Sequence, residues 1–340
     1  MSGANSSFGN LQDNEAAEVR HWEDVMRAML LYSDFMGKRI MRKQEHLNRL
    51  PQTAIDRLPS ITFDSLKYME ECIRINQEFF TAIVGFQDYN FAPREDRHRL
   101  PNKYYGNIIP SSQMQRNHAV LHSVAREWSS EGKAERDATF QPLLEELKLR
   151  KPPSPHSFPK VLCPGSGVGR LPLEVAGAGY CSQGNEFSVF MAICGHFVLN
   201  GIFEMNSYEI CPWVDREYNI VNAMDPYRSI RIPDVVAADI LGGAESDGDS
   251  DFPRFSMAAG DFADIYRAKE FIGFWDAVLT CFFIDTAPVV LDYIQVIHQI
   301  LQPGGVWINI GIQHYSCGML SPLNFHRTLA LSLGERGEHG

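Results

Sequence analysis

The stretch that decides the fold is VLCPGSGVGR, residues 161–170. A short apolar run, Val161–Pro164, meets glycines at 165, 167 and 169, and a helical pattern opens near Leu171. Glycine lets the backbone turn sharply and come close to a ligand, because no Cβ intervenes. The amides that open the following helix add a positive end. The spacing is G-x-G-x-G. A dinucleotide-binding fingerprint would place a third glycine at 170, where this chain has Arg170. Pyrophosphate binding, and with it a nicotinamide oxidoreductase, is therefore disfavoured. Taken alone, the loop leaves two readings open: a cofactor loop and an ordinary tight turn between strand and helix.

Downstream, short apolar runs alternate with helical patterns: Val161–Pro164, Cys181–Asn185, Phe255–Ala258, Trp275–Cys281 and Gly305–Ile310. That rhythm predicts a parallel sheet of βαβ units. Ligands of such sheets bind beyond the carboxyl ends of the strands, so the strand-end residues are the candidates. Glu186 closes the second run 21 residues after Gly165, where an acid takes ribose hydroxyls in nucleotide-binding units; a surface glutamate opening a helix is the alternative. Asp261 and Phe262 close the third run. An acid beside an aromatic suits an adenine pocket, and equally suits a helix N-cap with a core phenylalanine. Cys281 and Asp285 follow the fourth run, and Asp285 comes after four apolar residues, where a carboxylate needs a partner or a task. Leu301-Gln302-Pro303-Gly304-Gly305 turns a helix into the fifth run.

Upstream, the pattern is all helical. Residues 1–13 are small and polar and are expected to be disordered. Residues 14–150 form a helical region, with Val19, Trp22, Val25, Met26, Met29 and Leu30 as one apolar stripe of a helix from Glu15 to about Asn48. A second helix is expected over 65–87, with Tyr68, Cys72, Ile75, Phe79 and Ile83 on one face. A loop spans 88–112, and further helices span 113–129 and 133–150. KPPSPHSFPK (151–160) carries four prolines and reads as the linker into a second domain, 161–311. Residues 217–254, rich in Gly, Ser and Asp, read as an insertion. The chain has 340 residues, 44% of them hydrophobic, and a net charge of −11. That is ample for a large core, and nothing in it argues for a nucleic-acid coat or a membrane span. The seven cysteines are scattered, with no C-x-x-C spacing, which excludes a disulfide framework or zinc ribbon and points to a reducing compartment, cytoplasm or nucleus. No metal-ligand spacing is present. Lys38, Arg39, Arg42 and Lys43 form a basic cluster that reads as a solvated face. Trp213 reads as pocket wall or core.

Together these residues resemble the carnosine N-methyltransferase family. The matching blocks are GKAERD (132–137), VLCPGSGVGRLPLEVA (161–176), YCSQGNEFSVFM (180–191), FVLN (197–200), SMAAGDFADIY (256–266), TCFFIDTA (280–287) and LQPGGVWINIG (301–311). The resemblance runs from Ala17 to Gly311. It implies a Rossmann-like class I methyltransferase sheet behind an all-α N-terminal region. It implies S-adenosylmethionine as cofactor, and methyl transfer to the imidazole of a histidine-containing dipeptide, carnosine to anserine. Carried over residue by residue, Arg126, Gly165, Gly167, Gly169, Glu186, Asp261, Phe262 and Cys281 would hold the cofactor, and Asp285 would be both catalytic and substrate-binding. Where relatives have a glutamine near Arg126, this chain has Ser123. A carboxylate on one imidazole N–H would fix the tautomer and stabilise the imidazolium formed. After Gly311 the pattern departs: relatives draw a substrate-binding histidine and tyrosine from their tail, and His314 does not stand at that position. The tail, 312–340, is expected to leave out the last strands, to leave the fifth strand as an unpaired edge, and to impair turnover. The alternatives are a methyltransferase acting on protein or RNA, and an isoform that only binds cofactor or a partner. The amphipathic N-terminal helices suggest a homodimer.

Overall fold

A computed structural model describes residues 4–59, 61–91, 109–154, 158–216, 220–242, 252–311 and 329–332. In chain order its helices are α1 (Ala4–Leu30), α2 (Tyr32–Asn48), α3 (Gln52–Ile55), α4 (Ile61–Phe91), α5 (Ser111–Trp128), α6 (Lys133–Arg150), α7 (Arg170–Gly177), α8 (Val189–Asn200), α9 (Ala237–Leu241), α10 (Phe262–Tyr266) and α11 (Val290–Ile300). Its strands are β1 (Lys160–Pro164), β2 (Cys181–Glu186), β3 (Tyr208–Ile210), β4 (Ile230–Ile232), β5 (Phe255–Ala259), β6 (Trp275–Cys281), β7 (Leu301–Ile310) and β8 (Leu329–Ser332). The chain divides into two compact units, residues 1–125 with 206–233, and residues 126–205 with 234–340.

The first unit is helical. Residues 4–13, expected to be disordered, continue α1, because no proline interrupts the run. The single helix expected to Asn48 breaks at Leu31 into α1 and α2. Val19 is 59% exposed, so the buried stripe of α1 starts later, at Val25, Met26 and Met29. On α4 the buried face is Met69, Cys72, Ile73, Asn76, Phe79, Phe80, Ile83 and Val84, while Tyr68 is exposed. Its period is the expected one of three and four, but the face is rotated by about one residue. Asn76 explains the offset: its amide donates to the Tyr32 hydroxyl at 3.1 Å and the Cys211 carbonyl at 3.0 Å, and accepts from the Cys211 amide at 2.8 Å. A fully satisfied polar side chain belongs in the core as readily as an apolar one. It also ties the antiparallel pair β3–β4 to the helices. β4 lies in the stretch expected to be an insertion, 217–254, and that stretch up to Pro233 belongs to this unit. The Trp213 ring carries the Arg228 guanidinium at 3.7 Å.

The second unit is a six-stranded sheet in the order β5-β2-β1-β6-β7-β8. β5, β2, β1, β6 and β7 are parallel, and β8 runs antiparallel to β7. Each predicted strand is present. The Pro303-Gly304 turn lies inside β7 as an irregularity, where the register jumps between Trp275 and Ala277. The expectation of an unpaired fifth strand is corrected: β8 pairs with β7 from Val306↔Ser332 to Asn309↔Leu329. Residues 312–328, with His314, and 333–340 lie outside the described residues. Alternate residues of each strand face opposite sides, so Val161, Cys163, Ala277 and Leu279 join one buried cluster, and Leu162 and Val278 the other.

The expected domain boundary at the Pro-rich linker also moves. Phe140, Leu143 and Leu147 of α6 pack in the first of those clusters, so α6 and the last three residues of α5 belong with the sheet, not with the helical region. The prolines end a helix there without ending a domain. Leu143 is fully buried, whereas Leu149 on the same helix is 76% exposed. Leu143→Ala is expected to lower the unfolding free energy by about 3 kcal/mol in a urea titration, and Leu149→Ala to change it by less than ~0.5 kcal/mol. Equal effects would contradict this placement of α6.

Candidate active site

The five parallel strands put their carboxyl ends on one edge of the sheet, and the candidate residues gather there. Gly165, Gly167 and Gly169 follow β1 with φ of 67°, 58° and 88°, the left-handed region that glycine tolerates. Gly167 also meets a close neighbour: a Cβ there would run into the carboxylate of Glu127. Glu127 stands in the last turn of α5 and is 2% exposed. Its Oε2 accepts from the amides of Val168 (3.2 Å) and Arg170 (3.3 Å), and its Oε1 from the Arg126 guanidinium (3.0 Å). The neighbouring Trp128 indole donates to the Val168 carbonyl at 3.2 Å. The loop is therefore held from outside the βαβ unit. Burial pushes the Glu127 carboxyl above the usual range, while Arg126 and the two amides pull it back.

Arg170 has a structural task here. Its guanidinium is buried, donates to the Glu127 carbonyl at 3.1 Å, Asp234 at 2.8 Å and Glu174 at 2.7 Å, and lies 4.9 Å from the Trp128 ring. Asp234 also pairs with Arg136, whose other nitrogen donates to the carbonyls of Arg126 (2.7 Å) and Ser129 (2.8 Å). The ends of α5, α6 and α7 are thus tied by charge-assisted bonds, roughly twice as strong as neutral ones.

At the end of β2, Gly184 has no room for a Cβ, which would meet Pro172 and Ser166, both at 2.9 Å. Asn185 then reaches across to the carbonyls of Ala258 (3.3 Å) and Gly260 (3.0 Å), joining the ends of β2 and β5. Glu186 is half-buried. Its Oε2 accepts from the Gly167 amide and its Oε1 from the Ser188 amide, each at 2.8 Å. Each carboxylate oxygen keeps a further lone pair. Burial raises the Glu186 carboxyl, against the pull of the Ser188, Gly167 and Phe187 amides and of Arg126.

Asp261 is the N-cap of α10. Its Oδ1 accepts from Ala263 (2.8 Å) and Asp264 (3.0 Å), and among the described residues its Oδ2 accepts nothing. Phe262 is 2% exposed and packs edge-on against Phe283 and Tyr293, with centroids at 5.4 and 5.1 Å. The expectation of an aromatic stacking on a ligand is corrected: almost no ring face is available, and Phe262 anchors the helix that Asp261 caps. Cys281 ends β6, half-buried near Arg126. Burial pushes its thiol up to about 12, so it is neutral near pH 7 and no nucleophile. Phe282 takes a φ of 51°, a strained left-handed residue that turns the chain off the strand end. Asp285 follows in a short 3-10 turn, Ile284–Thr286, exposed and without a hydrogen bond or ion pair among the described residues.

The structure thus brings Arg126, the glycine loop, Glu186 and Cys281 together, with Asp261 and Asp285 on the same edge of the sheet. Among the described residues, no group of His, Cys, Asp or Glu is arranged for a metal ion. The family profile described as carnosine N-methyltransferase matches residues 106–331. The chain belongs to the carnosine N-methyltransferase family. The carnosine N-methyltransferase of Mus musculus is 38% identical over 312 residues, covering 89% of this chain and 72% of the mouse protein. That of Schizosaccharomyces pombe is 34% identical over 300 residues, covering 86% of this chain and 77% of the yeast protein. Among solved structures, a glycopeptide N-methyltransferase complexed with S-adenosylmethionine aligns with a TM-score of 0.31 at 14% identity, over 56% of this chain and 65% of that one.

Sequence reading missed Glu127, Trp128, Arg136 and Asp234. Glu127 and Arg136 look like ordinary polar positions of amphipathic helices, and the one available signal was their place beside Arg126 and in GKAERD. Glu127→Ala leaves two buried loop amides without an acceptor and Arg126 without its partner. It is expected to cost about 3 kcal/mol of stability by denaturant titration. A loss below ~0.5 kcal/mol would show that the loop does not depend on this carboxylate.

Proposed function

We propose that this chain transfers a methyl group from S-adenosylmethionine to an imidazole nitrogen of a histidine-containing dipeptide such as carnosine. The observation that carries the reading is the strand-end cluster of Glu186, Arg126 and the glycine loop, in a chain of this family. The donor set fits the cofactor's parts. Glu186 keeps lone pairs for ribose hydroxyls, the unused Oδ2 of Asp261 suits an adenine amino group, and the Arg126 guanidinium, 43% exposed, suits a carboxylate. When bound, the cofactor supplies an electrophilic methyl on a sulfonium. Asp285 does the rest: accepting one imidazole N–H leaves the other nitrogen with its lone pair free, orients the ring, and stabilises the cation that forms. Cys281, neutral, forms part of the wall. The six cysteines among the described residues form no disulfide with one another, which supports a reducing compartment, cytosolic or nuclear. Exposed apolar side chains on α1, α2 and α4 (Val19, Met41, Phe63) support a homodimer through those helices.

Asp285→Asn is expected to lower kcat/KM for carnosine by about 10²- to 10³-fold while the cofactor Kd stays within twofold. The assay is methyl transfer from labelled cofactor, run in parallel on total RNA and protein. Incorporation into either of those but not into the dipeptide would refute the reading.

Because burial raises Glu186, it takes its proton at a higher pH than a free carboxylate does. Cofactor affinity is expected to fall as pH drops through that raised value, and Glu186→Gln to flatten the profile, in calorimetric titrations from about pH 5 to 8. For folding the sign is the reverse. The native state favours the proton, so this group's contribution is fully present below its ordinary value and is lost as pH rises through the raised one.

A further inference from the structure

Asp285 makes no bond of its own among the described residues, yet the backbone that leads to it is fixed by packing. Phe282 and Phe283 leave the end of β6 toward opposite faces of the sheet. Phe282 packs against the cluster that holds Phe140 and Leu143, and Phe283 is buried in the cluster that holds Phe262 and Tyr293. Two rings anchored on opposite faces over-determine the backbone between them, and Phe282 takes its φ of 51° there. Such strain persists only where the surroundings impose it, and it gathers at functional sites. Phe283 then touches each part of the strand-end edge. A Cβ at Gly165 would lie 2.5 Å from its ring, so the ring fills the space that this glycine leaves. The ring stacks on Tyr293 at 4.9 Å with 15° between the planes, and meets Phe262, the neighbour of Asp261, at 5.4 Å. The Phe283 carbonyl accepts from the Thr286 amide at 3.0 Å and the Thr286 hydroxyl at 2.6 Å, which closes the turn around Asp285. One residue thus links the glycine loop, the end of β5 and the Asp285 turn.

We propose that Phe283 is a positioning residue for methyl transfer, a wedge that holds the Asp285 turn in register with the glycine loop. This rests on the reading that Asp285 takes the imidazole N–H. A ring held by that carboxylate lines up with a donor held by the loop only while turn and loop keep their spacing, and a misplacement of about 1 Å can cost about 10²-fold in rate. Leucine at 283 stays apolar but lacks the flat ring that fills the space against Gly165 and stacks on Tyr293.

The test is a double-substitution cycle on the full chain, Phe283→Leu with Asp285→Asn. It is read as kcat/KM for carnosine at saturating cofactor, and as carnosine Kd by calorimetry with S-adenosylhomocysteine present. Phe283→Leu is expected to lower kcat/KM about tenfold and to weaken carnosine binding about fivefold in the parent chain, but to change either by less than about twofold once Asp285→Asn is present. A purely structural ring would cost the same in both backgrounds, and that result, or no loss in the parent chain, would overturn the proposal while leaving the role of Asp285 intact. Asp285→Asn without effect on either readout would overturn both. Thr286 is exposed, so Thr286→Val opens the turn without touching the core and decides the matter if Phe283→Leu fails to fold. It is expected to cost about threefold in kcat/KM, again only where Asp285 is present; an equal cost in both backgrounds would overturn the proposal.

Discussion

A buried guanidinium governs the sheet unit. Arg170 opens the helix after the glycine loop with its charge inside the protein, and withdrawing such a charge from water costs several kcal/mol unless its donors are satisfied. Asp234, Glu174 and the Glu127 carbonyl satisfy them. Asp234 must then be shared with Arg136, and Arg136 must reach the carbonyls that end α5. The ends of α5, α6 and α7 are linked through that one network. Arg126 and Glu127 complete a balanced set of three arginines and three acids. The glycine loop is therefore held from beneath by a closed set of charge-assisted bonds.

This explains what could be read from the linear chain and what could not. The strands were legible because burial on both sheet faces forces continuous apolar runs, and their strand-end acids were legible because α/β sheets bind ligands at that edge. Glu186 and Asp261 needed nothing more than position to be placed at the strand ends. Gly167 was legible as a turn, but not as the place where a carboxylate from 40 residues upstream presses against the backbone. Tertiary approach of that kind leaves no periodic mark. Arg170, visible as the residue that breaks a dinucleotide fingerprint, is in fact the residue that ties the helix after the loop to Glu127, Glu174 and Asp234. Phe262 shows the opposite error: an aromatic beside an acid suggested a stacking surface, and packing gave it to the core.

The helical unit illustrates a second limit. Period alone fixes that α4 has one buried face, but not which residue starts it. A polar side chain such as Asn76 is scored as solvent-facing until its three partners are known. Composition likewise made residues 217–254 look like a single insertion, because Gly, Ser and Asp dominate its second half. Its first half supplies Ile230 and Ile232, buried positions of β4. Proline content at 151–160 marked the end of a helix correctly, and the domain boundary there incorrectly, since α6 had already joined the sheet.

The chain passes between the two units three times, at 125/126, 205/206 and 233/234. Neither unit is continuous, and this sets an order for vectorial synthesis. When residue 125 leaves the ribosome the helices are present, but the backbone that Asn76 must satisfy at Cys211 is 135 residues away from it. The first unit waits, with a polar core side chain unpaired, until a large part of the second has been made. Contacts of such separation slow folding, and incomplete helical faces in the interval expose apolar surface. The interleaved chain therefore trades independent maturation of its halves for a joint, late closure.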